Sequence, residues 1–223
     1  MSGPILAAIW DLDGTLLDTE CIYLQVENET IKKYGGNGDV SCLAHKLLGT
    51  PGLECAKVIV EHFCLNTTPE QYLATRDEVL VGKFKSTCFC EGALELLKLF
   101  HSYGIRQSIA TSSGRYLTHQ KLNAHKSVLD IYVHYVICRE DVTYGKPFPD
   151  MFLLAAKKMG ISPSNCVVLE DAPSGILAAK RAGMRCVAIR NSLLTCDHYR
   201  DADWIVDSLR DWQVETLLNH NSV

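Results

Sequence analysis

Residues 5–15 read Ile5-Leu6-Ala7-Ala8-Ile9-Trp10-Asp11-Leu12-Asp13-Gly14-Thr15, an apolar run that stops at two carboxylates and a glycine. A short apolar run with so sharp an end has the character of a strand buried on both faces. Such strands belong to parallel sheets. In open α/β sheets ligands bind beyond the carboxyl ends of the strands, which is where Asp11 and Asp13 stand.

Working outward, comparable runs occur at residues 105–110, 132–138, 165–169 and 185–189. Helical patterns occupy 91–102, 115–123, 148–159 and 173–183. The alternation predicts an α/β fold with a doubly wound parallel sheet, its core domain formed by residues 1–18 and 88–223. Residues 19–87 break the pattern: they contain no strand-like run, and Leu53, Ala56, Ile59, Val60 and Phe63 share one helical face. About 70 residues are too many for an ordinary crossover, so the stretch is expected to be a smaller α-helical cap domain joined by two hinge strands. Gly35, Gly36 and Gly38 should close its first helix and Gly49, Pro51 and Gly52 open its third, while Thr68 should N-cap a helix with Pro69 in its first turn. Asp18 is expected to N-cap the first cap helix, and Asn219 to Val223 to fray.

The predicted strand ends carry a coherent chemistry. The second run ends in Thr111-Ser112-Ser113-Gly114, Gly145-Lys146-Pro147 follows the third, and the fourth leads into Glu170-Asp171. Alone, each of these is an ordinary turn or cap. In this order, each at the end of an apolar run, they supply what phosphoryl transfer requires: a nucleophile, charge neutralisation and a proton donor. Asp11 suits the nucleophile, forming an aspartyl-phosphate, and Asp13 suits the acid/base. Lys146 and Thr111 would bind the transferred group, and Ser112 and Ser113 either offer it N–H groups and hydroxyls or cap the helix that follows. Asp11, Asp13, Glu170 and Asp171 are hard oxygen ligands of the kind magnesium prefers.

The set resembles the haloacid dehalogenase superfamily, whose first motif reads DxDGT and whose other three match Thr111, Lys146 and Glu170-Asp171. That resemblance implies a Rossmann-like core with Asp11 as nucleophile, Asp13 as acid/base, Thr111 and Lys146 on the phosphoryl group, and the last acidic pair helping to hold Mg2+. Asp at position 13 implies a phosphatase or phosphomutase rather than a dehalogenase or transport ATPase. Asp13 to Glu20, Leu48-Gly49, Gly145-Lys146-Pro147 and Leu169 to Pro173 look most like the group of sugar-phosphate phosphatases containing pseudouridine-5'-phosphatases and glycerol-3-phosphatases. Two departures stand out: Glu91 replaces the usual hinge proline, and Thr50-Pro51-Gly52 stands where relatives often present a basic residue.

Composition sets the outer limits. With 47% hydrophobic residues and a net charge of -4 spread along the chain, the protein is expected to be soluble and to bind neither nucleic acid nor membrane. Ten cysteines, several inside apolar runs, suggest a reduced, cytoplasmic setting, with Cys88 and Cys90 packing near a hinge. The partner is expected to be a small phosphorylated metabolite, such as a sugar phosphate or nucleoside monophosphate, met by a monomer or weak homodimer. Thr50 is the cap residue expected to touch it, with His45 and Lys46 as further candidates. A β-phosphoglucomutase-like mutase and a non-catalytic binding protein of the same fold are the alternatives.

Overall fold

The computed structural model describes residues 3–212. The residues expected to fray therefore lie outside the described part. One six-stranded sheet forms the core, from β1 (Ala7–Trp10), β4 (Arg106–Ala110), β5 (Tyr135–Ile137), β6 (Cys166–Glu170), β7 (Arg185–Ile189) and β8 (Trp204–Val206). Its order is β5-β4-β1-β6-β7-β8 with all neighbours parallel. A short antiparallel pair, β2 (Leu17–Asp18) and β3 (Cys88–Phe89), lies apart from it.

Between β2 and β3 come α1 (Glu20–Lys33), α2 (Ala44–Leu47), α3 (Gly52–His62) and α4 (Pro69–Lys83). The core adds α5 (Ala93–Ser102), α6 (Arg115–Asn123), α7 (Lys126–Tyr132), α8 (Asp150–Met159) and α9 (Pro173–Arg181). Helices cover both faces of the sheet because its strands alternate apolar residues to each side. Ala8 and Trp10 pack with Leu97 and Phe100 of α5, while Ala7 and Ile9 pack with Phe152 of α8 and Ile176 of α9. Full burial of one such aliphatic or phenyl side chain stabilises by about 1.5–3 kcal/mol. The indole of Trp10 meets Phe100 edge-on at 6.1 Å, and its N–H is satisfied by Gln107 Oε1 at 3.1 Å.

Two core elements differ from expectation. The run at 132–138 is a strand only from Tyr135, because residues 126–132 form α7, whose Leu129 is drawn into the core. Strand β8 was not foreseen; at the sheet edge Trp204, Ile205 and Val206 make an apolar run of only three residues, with Ile205 41% exposed.

The helices between β2 and β3 bury a cluster of their own around Ile31, Val40, Leu43, Ala56, Ile59 and Tyr72. Thr68 caps α4 by accepting from the Gln71 N–H at 3.2 Å, with Pro69 in the first turn. Val60 and Phe63 join the predicted apolar face, but Leu53 is exposed instead of packed. Asp18 does not cap α1: the β2–β3 ladder holds it opposite Cys88, and Thr19 takes the N-cap position without a side-chain cap bond. Cys90 packs against the core as expected, whereas Cys88, on the same short ribbon, is exposed. All ten cysteines are free, and among the described residues no helix is long and apolar enough to cross a membrane.

Candidate active site

The chain leaves β1 through the helical block, and its neighbours β4 and β6 lie on either side, so the strand order turns at the carboxyl end of β1. That is the crevice where α/β sheets bind ligands. Asp11 and Asp13 follow β1 there, Thr111 follows β4, and Glu170 ends β6 with Asp171 next to it. Leu12, between the two aspartates, turns into the core and is fully buried. Gly14 turns the loop with φ +79°, and a Cβ there would stand 2.4 Å from Asp171 Oδ2. A side chain at this position would strain the backbone and displace the carboxylate.

Lys146, with its side chain almost wholly buried, donates to Asp11 Oδ1 and, at 2.6 Å, to Glu170 Oε1. The other Glu170 oxygen accepts the N–H groups of Asp171 at 2.9 Å and Ala172 at 2.7 Å. Burial pushes the Asp11 carboxyl up to about 7; Lys146 opposes the rise, while Glu170 and Asp13 add to it. Asp171 is raised well above the ordinary carboxylate range, again by burial first, then by Glu170 and Asp11, and it accepts from Thr15 Oγ1 at 3.4 Å. Two crowded, buried carboxylates are short of positive charge. This donor set fits a hard divalent cation.

Asp13 is held differently. Lys121 Nζ donates to both its oxygens, at 2.6 and 2.7 Å; Thr19 Oγ1 donates to Oδ1 at 2.8 Å and Ser113 Oγ to Oδ2 at 2.9 Å. Burial pushes Asp13 up, but the charge and hydrogen bond of Lys121, helped by Thr19 and Ser113, bring it below its usual value. Lysines hold Asp11, Asp13 and Glu170 here, and among the described residues no three Asp, Glu, His or Cys side chains converge as a ligand cluster.

The hydroxyls are also specific in their use. Thr111 Oγ1 accepts the Ser113 N–H at 3.0 Å, which tightens the loop after β4. Neither serine caps α6: Gly114 holds that position, and the Arg115 N–H donates to Glu140 at 2.9 and 3.0 Å. Ser112 Oγ is buried and has no hydrogen-bond partner among the described residues.

Between the sheet edge and the helical block lies a cavity of about 570 Å³. Asp11, Asp13, Thr111, Ser112, Ser113 and Asp171 form its floor, and Leu24, Leu47, Leu53 and Leu73 much of its roof. Lys146 is not on the cavity wall, because its ammonium is drawn beneath the floor by two carboxylates. Thr50 lines the cavity, yet its hydroxyl donates to Lys46 O at 2.9 Å. His45 and Lys46 are exposed and not among the lining residues.

Two site residues escaped the sequence reading. Lys121 was legible in principle, since it falls on the buried stripe of α6 beside Leu117 and Thr118, where a lysine must find a partner. Arg76 likewise occupies the buried stripe of α4 with Tyr72 and Leu80.

Residues 8–189 match the family model of the haloacid dehalogenase-like hydrolases. The chain is 34% identical to (DL)-glycerol-3-phosphatase 2 of Arabidopsis thaliana over 96% of its length and 91% of the relative's. It is 31% identical to a probable pseudouridine-5'-phosphatase of Drosophila melanogaster, over 93% of its own length and 91% of that protein's. The crystal structure of CbbY from Rhodobacter sphaeroides in complex with phosphate shares the fold, with a TM-score of 0.83 and 24% identity, covering 96% of this chain and 99% of that one. The sheet order, the strand-end carboxylates and a family match spanning most of the sequence agree, and the chain belongs to the haloacid dehalogenase-like hydrolase family.

Proposed function

We propose that the protein is a magnesium-dependent phosphatase that hydrolyses small phosphomonoesters through an aspartyl-phosphate on Asp11. The observation that carries this reading is the floor of the cavity, where residues from two neighbouring strand ends meet: Asp11, backed by Lys146, and Asp13, held by Lys121, after β1, and Thr111 after β4. Relatives named as glycerol-3-phosphatase and pseudouridine-5'-phosphatase support it.

An oxygen of Asp11 attacks phosphorus and the bond to the alcohol oxygen breaks, with Asp13 giving that oxygen a proton. Asp13 then takes a proton from water, whose oxygen attacks the aspartyl-phosphate, releasing phosphate and restoring Asp11. Lys121, Thr19 and Ser113 all donate to Asp13 and favour its carboxylate, the form that takes the proton from water in the second step. Lys146 keeps Asp11 oriented, and Thr111 shapes the loop beside it. Asp11 and Asp171 would hold Mg2+, whose charge neutralises equatorial phosphoryl oxygens. The helical block serves as a cap that covers the leaving group and keeps bulk water out.

The test is a phosphomonoester panel followed by phosphorus NMR. Free phosphate is expected with magnesium and none after chelation. An isomerised sugar phosphate without free phosphate would overturn the reading in favour of a mutase.

A further inference from the structure

We infer that Glu27 is a specificity-determining residue: by neutralising Arg76 at the helical end of the cavity, it restricts the site to phosphomonoesters of uncharged, hydroxyl-bearing alcohols and turns bisphosphates away. The inference rests on the phosphatase reading and narrows its substrate class.

The Thr50-Pro51-Gly52 loop has no basic side chain, but the structure places a cation next to it from elsewhere. A Cβ on Gly52 would stand 3.2 Å from Arg76 Nη2, so a glycine there admits the guanidinium close to the loop. That guanidinium is not a free charge. Its Nη1 donates to Glu27 Oε1 at 3.0 Å, and its Nε and Nη2 donate to Asp77 Oδ1 at 2.9 and 2.7 Å. One cation faces two carboxylates, and all three residues line the cavity.

Glu27 is the fixed half of this compensation. Its side chain is 9% exposed against 28% for Asp77, and its second oxygen accepts the hydroxyl of fully buried Tyr72. Water screens Asp77 more strongly than Glu27. The other lining arginine, Arg139, donates to Val142 O at 2.9 Å, and its lining neighbour is Glu140. A second phosphate arriving here would meet excess negative charge. A hydroxyl would find a carboxylate acceptor and the N–H groups that Arg76 has left over.

Fructose 1-phosphate and fructose 1,6-bisphosphate differ only in a distal phosphate, and calorimetry in an Asp11→Asn background reads their binding without turnover. With Glu27 present the monophosphate should bind at least about tenfold more tightly. Glu27→Gln keeps an acceptor for Tyr72 while uncovering Arg76, and should move the ratio about tenfold towards the bisphosphate. Adding Arg76→Gln should restore the original preference. Asp77→Asn, on the wetter side, should move the ratio the same way by a smaller factor. Equal affinities with Glu27 present, or an unchanged ratio in both a folded Glu27→Gln protein and Asp77→Asn, overturn the inference. Hydrolysis of p-nitrophenyl phosphate by the unsubstituted protein with magnesium is measured in parallel. Its absence, with discrimination intact, counts against the phosphatase reading and leaves the specificity assignment standing.

Discussion

One buried cation meets two carboxylates at two places in this molecule: Lys146 with Asp11 and Glu170 at the sheet edge, and Arg76 with Glu27 and Asp77 in the helical block. The outcomes differ because the surroundings differ. In the helical block Tyr72 donates to Glu27 and Asp77 reaches water, so the set is satisfied. At the sheet edge Asp13 and Asp171 crowd the same pair, and burial with like charge leaves Asp11 and Asp171 holding protons too tightly. The cluster in the helical block is satisfied in charge, whereas the one at the sheet edge is short of positive charge.

Removing the central group of each cluster should separate them most clearly. Asp11→Asn should lower kcat by about 10⁴-fold or more in steady-state assays, because an amide cannot attack phosphorus. Its calorimetric melt should remain cooperative, and substantial turnover by the folded variant would remove Asp11 as nucleophile.

Arg76→Met should act mainly on stability, leaving Glu27 buried without its cation at a cost of about 3–5 kcal/mol. Denaturant unfolding measures it. A loss within the range of exposed ion pairs would mean that Glu27 finds water and that the helical cluster is less closed than described.

Lys121→Met tests the third cation, which contacts Asp13 alone among the carboxylates of the site. Without it, burial acts on Asp13 unopposed by its main partner, so the carboxyl should rise. The limb of the pH profile of kcat/KM that Asp13 governs should move to higher pH, and kcat should fall by about 10²-fold. An unshifted profile would break the link between Lys121 and Asp13.

A smaller effect concerns pH and stability in the metal-free protein. Asp11 is raised in the folded state from 3.8 to about 7, so ionising it disfavours the fold; stability should decline as pH rises through the window between those values. For this group alone the decline is on the order of 4 kcal/mol. The lowered Asp13 acts in the opposite sense, adding stability that is lost only as pH falls below the ordinary carboxylate value. Thermal melts in chelator should therefore show Asp11→Asn gaining on the unsubstituted protein near about pH 8 and matching it near about pH 4. Added magnesium should shrink the difference. Identical melts at the higher pH would contradict the crowded-carboxylate description.

The legible parts of this protein were those where local pattern and position coincide. Residues 185–189 and 115–123 match β7 and α6 because a buried strand writes a continuous apolar run and an amphipathic helix a periodic one, each over several residues. β8 was missed because its apolar run at the edge is only three residues long. Asp18 was misread for another reason: an acidic residue before a helix has good capping chemistry, and only the pairing of residues 17–18 with 88–89 holds it in a ladder.

By itself, then, the sequence determined the α/β alternation, the helical insertion after the first strand, and the carboxylates, hydroxyl and lysine that stand after the apolar runs, since each depends on neighbours within a few positions. Only the tertiary structure decided which charges meet. Lys121 reaches Asp13 across 108 positions, Lys146 reaches Asp11 across 135, and Arg76 reaches Glu27 across 49. A buried charge on a helix shows in sequence at most as a charge on the apolar stripe, as Lys121 and Arg76 do, and nothing nearby names its partner. Its partner is fixed by how helices and strands stack in three dimensions, where the cost of burying an unpaired charge selects the pairing.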